Sequence, residues 1–430
     1  MVIARTTYGV LPSRDGGAKW TFLCEGALGI ASACFQDPEL GITSTNAWIA
    51  GLYLPTAALN LSSNSGCAWN CVGGQLAGQN IADIVGRPDS PDVVLALAST
   101  CRALDAGGGT FNQIFRSVDD GANWLPRGNA VDPNVLVATV DVVPAEVHRI
   151  YMSGTRGVAA SRPASQCIPT DDGAHWLEGP VSEFDPTSED SIYIGGVDPV
   201  DPDRVSLRSS ASRAGPGQSQ LFGTTDAGIS FAVVRSFTGA PPVLLSGSRE
   251  ILGFALSPDG AKVDAETRGA GLFIASRSDL DFRPMSNIHV QYLATRGAEL
   301  WACSHDASGF IVGMSANDVA TSPTKLAGLT SLAGPIDCGH TTLASLALGA
   351  VTAPSHCDDS FDGFCAATSP TVGWASGSAD AGTASTGPAS RPGCDCHAAG
   401  SCGTALLYAR SALALVVGRR RARRPAPGGT

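Results

Sequence analysis

Short apolar runs separated by turn-forming residues recur along roughly the first 350 positions of the chain. Examples are Tyr8-Gly9-Val10-Leu11, Ile114-Phe115 and Leu221-Phe222, each running into a cluster of Ser, Thr, Asp and Gly. Runs this short, bounded by such turns, predict β-strands, and no long amphipathic helical period interrupts them before residue 404. Between these runs lies a second module of strand, Pro/Asp turn and strand. It reads Ile84-Val85, Pro88, Pro91, Asp92 and then Val93 to Leu97. It recurs as Val140 to Pro144 before Ile150-Tyr151-Met152, as Val197, Pro199, Pro202 and Val205, and as Phe254-Ala255-Leu256 before Pro258.

One octapeptide sits between the first kind of run and its return strand: Ser or Thr, any residue, Asp, any residue, Gly, two residues and an aromatic. It is carried by Ser13, Asp15, Gly17 and Trp20, by Ser117, Asp119, Gly121 and Trp124, and by Thr224, Asp226, Gly228 and Phe231. Asp171, Gly173 and Trp176 follow Pro169 in place of the hydroxyl, and Ser62, Asn64, Gly66 and Trp69 replace Asp by Asn. Weaker copies end at Ser278 and Asn317, so the third positions fall at 15, 64, 119, 171, 226, 278 and 317. A hydroxyl and a carboxylate two residues apart can accept hydrogen bonds from turn amides that have no ladder partner. Glycine supplies positive φ, and the aromatic opens the return strand and is expected to bury its ring between neighbouring units. Trp20, Trp69, Trp124 and Trp176 are therefore expected in equivalent buried places. Two strands around each octapeptide and two in the intervening module make four per repeat of about 50 residues, the size of a propeller blade. The reading is an all-β chain: a β-propeller of about seven four-stranded blades over residues 1–350.

The octapeptide resembles the Asp-box (BNR) repeat of sialidases, related glycosidases, sortilin-type receptors and photosystem assembly propellers. The resemblance covers about residues 1–322 and implies the fold. It implies no single activity, because the box is a structural turn shared by unrelated functions.

Beyond the propeller the reading has three parts. Residues 351–374 form an acidic loop segment framed by Cys357 and Cys365. Residues 375–392, almost all Ala, Ser, Gly, Thr and Pro, form a flexible, disordered linker. Residues 393–424 combine Cys394 and Cys396, an apolar stretch from Thr404 to Gly418 read as a short helix, and an arginine run at 419–421 and 423–424. Fifteen residues make about 22 Å of helix against a hydrocarbon core of about 30 Å, a marginal span. The order of these parts resembles myxobacterial MYXO-CTERM sorting tails, with Arg410 and Cys402 as departures. That resemblance implies export, processing by a sorting protease near Cys394 and Cys396, membrane attachment and cell-surface display. No signal peptide is visible at Met1, and the chain enters midway through a blade, so the expectation is that the gene start lies upstream.

Composition narrows the function. Only 16% of residues are charged and the net charge is −11, although five arginines sit in the tail, so nucleic acid is excluded as a partner. Thirteen cysteines point to an oxidising compartment, with Cys24–Cys34 and Cys357–Cys365 as local pairs. No Arg-Ile-Pro of the sialidase type, Gly-x-Ser-x-Gly, Cys-x-x-Cys or paired-histidine spacing occurs. Ser304, His305 and Asp306 are adjacent, which is not how a catalytic triad is built. Asp358, Ser360 and Asp362 resemble the start of a calcium loop, but position twelve is Ser369, which excludes an EF-hand and leaves a smaller calcium turn as the only cofactor candidate. The chain is thus read as an exported surface module that binds a glycan or protein, with a secreted glycan-active hydrolase as the alternative. Closure of the ring is expected from residues 326–348 against Val2–Leu11, with Cys338 near Cys24 or Cys34.

Overall fold

The computed structural model describes the chain in segments between residues 1 and 338 and again at 414–417. Residues 25–27, 29–37, 52–58, 102–108, 157–163, 170–174, 212–217, 239–250, 257–261, 268–270, 277–282, 287–291, 305–308, 316–323, 339–413 and 418–430, with isolated positions besides, lie outside the described residues. The described strands pair into seven antiparallel four-stranded sheets. In chain order, β1 (Val2–Thr6), β2 (Gly9–Ser13) and β3 (Leu23–Cys24) belong to the first blade, and β4 (Glu39–Ile42), β5 (Trp48–Gly51), β6 (Leu59–Ser62) and β7 (Asn70–Cys71) form the second. The third holds β8 (Ile81–Gly86), β9 (Val94–Cys101), β10 (Thr110–Ser117) and β11 (Leu125–Val131). The fourth holds β12 (Val135–Val142), β13 (Ile150–Arg156), β14 (Ala164–Pro169) and β15 (Trp176–Val181). Blade five is β16 (Glu189–Val197), β17 (Val205–Ala211), β18 (Gln218–Thr224) and β19 (Ala232–Thr238). Blade six is β20 (Ile251–Leu256), β21 (Lys262–Thr267), β22 (Gly271–Ser276) and β23 (Arg283–Ser286). Blade seven is β24 (Tyr292–Arg296), β25 (Glu299–Cys303), β26 (Val312–Ser315) and β27 (Thr324–Ala327).

The last strand, β28 (Ala414–Val417), returns to the first blade, where the order is β28-β1-β2-β3. It pairs antiparallel with β1, Val2 opposite Val417 and Arg5 opposite Ala414. Strands β28, β4, β8, β12, β16, β20 and β24 touch one another in that cyclic order, so they form the inner wall of a closed ring. The protein is a β-propeller.

Its sheets stand face to face, and the buried clusters lie between blades. Ile49 and Leu59 of blade two meet Val94, Phe115 and Trp124 of blade three. Val2 and Trp20 of blade one meet Trp301 and Val312 of blade seven. Strands buried on both faces read as continuous apolar runs, as Val94 to Ala98 does.

Three expectations are corrected. The apolar stretch of the tail is not helical where it is described: Ala414–Val417 is a strand. Propeller closure therefore draws on residues well beyond 350. The physical reason is that β1 would otherwise leave a row of backbone donors and acceptors open on the channel side, and the β-branched Val416 and Val417 suit a ladder. Residues 326–335 do not pair with Val2–Leu11. Leu326 and Ala327 end blade seven, and the following residues bond instead to Trp20 and Phe22. The partner of Cys338 is Cys67, not Cys24 or Cys34. Residues 341–348, the linker and the Cys357–Cys365 loop lie outside the described residues.

Candidate functional site

The connections between third and fourth strands lie at one end of the ring, and in blades one, two, three and five, where they are described, the octapeptides occupy them. In the first, Ser13 Oγ donates to Asp15 Oδ1 (2.8 Å) and accepts from Gly17 N (2.7 Å), while Lys19 N donates to Asp15 Oδ1 (2.9 Å). The same three bonds recur at Ser62, Asn64, Gly66 and Ala68, at Ser117, Asp119, Gly121 and Asn123, and at Thr224, Asp226, Gly228 and Ser230. Asn64 serves as well as Asp because only its carbonyl oxygen is used. The Ser230 hydroxyl, then Thr224 and the Ser230 amide, hold the Asp226 carboxyl down at about 2. The Lys19 amide first, and then the Ser13 hydroxyl, lower Asp15; the Asn123 side chain leads in lowering Asp119.

Two consecutive residues in each turn have left-handed backbone: Gly16 and Gly17, Ser65 and Gly66, Asp120 and Gly121, Ala227 and Gly228. The second must also be small. A Cβ on Gly121 would lie 2.6 Å from Ile49 of the preceding blade, and one on Gly17 would lie 2.9 Å from Trp301. The aromatics pack onto the preceding blade too. Trp20, Trp124 and Phe231 are buried, whereas Trp69 and Trp176 are only half-buried, against the expectation of equivalence. The indoles of Trp20, Trp69 and Trp124 donate to the carbonyl of their own turn glycine, but that of Trp176 donates to Asn129 O. Asp171 and Gly173 lie outside the described residues, as do Cys394, Cys396, Asp358, Ser360 and Asp362. The turn residues are distributed one set per blade and are not brought together into a single site.

The inner wall has a different polar chemistry. Each innermost strand has a sheet partner on one side only, so its other edge carries unpaired amides. Side chains of the same strand or of the neighbouring blade satisfy several of them. Asp83 of β8 accepts from Ile84 N (2.9 Å) and, across the blade boundary, from Val140 N of β12 (3.0 Å). Thr139 Oγ1 accepts from Ile194 N of β16 (2.9 Å), and Asp141 Oδ1 accepts from Val142 N (2.8 Å). Asp83 and Thr139 each follow an irregularity in their strand, at Ile81/Asp83 and Val137/Thr139, a bulge that re-aims the side chain. Burial pushes the Asp141 carboxyl up to about 6, only partly offset by the Val142 amide.

At the end of the ring opposite the octapeptides, blades four and five carry an ionic and acidic group. Arg156, the last residue of β13, donates through Nε to Glu178 Oε1 (2.7 Å) and through Nη2 to Glu178 Oε2 and to Asp132 Oδ2 (2.6 Å). Donation to Glu178, then to Asp132, raises its pKa further. Glu189, the first residue of β16, is 2% exposed; it accepts from Ser209 Oγ and from Asp185 N (2.7 Å). Burial pushes Glu189 up to about 7 against the opposing effect of those hydrogen bonds. Sequence inspection missed Asp83, Asp141, Arg156 and Glu189. The first two were visible as carboxylates breaking the apolar runs Ile81 to Val85 and Val140 to Val143. Among the described residues, no three His, Cys, Asp or Glu side chains are grouped to hold a metal ion, and no helix is long and apolar enough to cross a membrane.

Fold and polar inventory together define the class, an all-β propeller whose inner strands are tied together by side chains. No family model matches the chain and no curated protein matches it. Solved structures do resemble it at low identity. An α-L-arabinanase from Penicillium chrysogenum, solved with arabinobiose, is 14% identical over 76% of this chain and 99% of its own, with a TM-score of 0.42. A GH74 xyloglucanase from Xanthomonas campestris is 14% identical over 74% of this chain, with a TM-score of 0.33, and the match spans 61% of the xyloglucanase. A puromycin-hydrolysing peptidase from Mycobacterium tuberculosis is 13% identical over 77% of this chain and 54% of its own, with a TM-score of 0.45.

Proposed function

We propose that the protein is an exported, surface-displayed propeller that binds a glycan or protein ligand and performs no chemistry on it. The observation that carries this reading is the use made of the inner-wall polar groups. Asp83 holds two backbone amides with its two oxygens, Thr139 holds a third, and Asp141 holds a fourth. A hydrolase needs two carboxylates facing a common space, whereas Asp83 is committed to joining blades three and four and Asp141 to an amide of its own strand. The Cys67–Cys338 disulfide supports export, because such bonds persist in oxidising compartments. In this reading the tail from Cys394 engages a sorting protease and the membrane, and a calcium ion at Asp358, Ser360 and Asp362 is the one cofactor contemplated. The purified protein applied to a glycan array should retain a defined glycan class without releasing reducing sugar; turnover of a bound glycan would reject the binding reading.

One observation favours a glycan-active hydrolase instead. Glu189, pushed up to about 7 by burial, would be protonated in about half the molecules at neutral pH, as suits a general acid. Under that reading Glu189→Gln abolishes sugar release and leaves glycan retention intact.

A further inference from the structure

The ring is closed in two places by two different pieces of chain. One is β28, whose four residues complete the first blade from the channel side. The other is the segment that leaves blade seven after Ala327. It runs as a strap along the rim of blade one: Ala333 N donates to Trp20 O (2.8 Å), Phe22 N to Gly334 O (2.9 Å) and Ile336 N to Phe22 O (2.9 Å). Leu326, Leu329 and Leu332 pack into the cluster shared by blades seven and one, and Ile336 into the cluster shared by blades one and two. The strap ends at Cys338, bonded to Cys67 in the octapeptide turn of blade two. The disulfide thus joins positions 271 residues apart, and the covalent loop it closes contains every strand from β7 to β27. Blades two and seven are tethered to each other across blade one, whether or not β28 is seated.

We propose that the strap and its disulfide are a redox-controlled lock on the seam of the propeller. Oxidised, they keep blades seven, one and two together without help from residues 414–417; reduced, the seam has no covalent tie and rests on that short strand, the strap's three backbone bonds and the shared apolar clusters. Cys338 is exposed and Cys67 half-buried, so the bond is open to attack at the Cys338 sulfur. A dithiol attacks there, its second thiol resolves the mixed disulfide, and the dithiol leaves as a cyclic disulfide. Its two electrons and two protons remain on Cys67 and Cys338 as thiols. The three backbone bonds of the strap then compete with solvent without a covalent anchor beyond them.

The test uses the full chain in four forms: unaltered, Leu415→Pro to unseat β28, Cys338→Ser to remove the lock, and both together. Amide exchange is read at Val2–Arg5, in β4–β7 and in β24–β27. Leu415→Pro alone should speed exchange at Val2–Arg5 and leave blades two and seven protected, and Cys338→Ser alone should leave all three protected. The double variant should lose protection more than tenfold in all three. Dithiothreitol added to Leu415→Pro should reproduce the double variant, and added to the double variant should change nothing more. Loss of protection in blades two and seven with Leu415→Pro under oxidising conditions, or its failure to fold there, overturns the lock. So does a Leu415→Pro protein indifferent to dithiothreitol.

Discussion

Asp226 and Ala227 are neighbours in one turn, and they stand in opposite relation to it. Asp226 accepts from the Thr224 hydroxyl, the Ser230 amide and the Ser230 hydroxyl. Ala227, with φ of 60°, occupies a left-handed conformation that a Cβ disfavours by about 1–2 kcal/mol. Ala227→Gly should therefore raise stability by about 0.5–1 kcal/mol, net of the added freedom of the unfolded chain, in chemical denaturation. Asp226→Ala should lower it, because the Ser230 amide then loses its acceptor within the turn. Because the Asp226 pKa is lowered on folding, its contribution is present above pH 4 and disappears as pH falls towards 2. The aromatics separate in the same way. Trp20→Ala removes a buried ring at the blade seven boundary and should cost about 3–5 kcal/mol. Trp176→Ala removes a half-buried one and should cost about 1–2 kcal/mol. Equal losses at the two positions would contradict the packing described here.

Hairpins and inner strands differ in how far a sequence announces them. Ser13 to Trp20 signals its turn completely, because the bonds that shape it lie within eight residues; the copies at Asn64, Asp119 and Asp226 repeat it. The inner strands are legible as apolar runs, but the duty of Asp83 depends on Val140, 57 residues later, which local pattern does not contain. Ala414–Val417 shows the limit most clearly. Followed by arginines, the apolar stretch around it suits a helix on its own terms; the open edge of β1 makes part of it a strand, and that edge is four hundred residues away. Glu189 belongs to this scale too, since it begins β16 and its hydroxyl partner Ser209 lies on β17. Its pKa is raised on folding, so its contribution is complete below pH 4.5 and is lost as pH rises through 7. Thermal melts of the native chain should accordingly lose stability between about pH 4.5 and 7. Glu189→Gln should flatten that part of the profile, and an unchanged profile would remove Glu189 as its cause.

At the scale of the molecule, each buried cluster among the described residues is shared by neighbouring blades, not held within one of them. Blade one is the extreme case, because its inner strand comes from the other end of the chain. On a ribosome adding about 5–20 residues per second, Val2–Arg5 emerge roughly 20–80 s before Ala414 exists. Throughout that interval β1 offers an unpaired edge to any strand nearby. Blade one thus keeps an open inner edge while the strands of the other six blades are made, and it is finished only when Ala414–Val417 arrive.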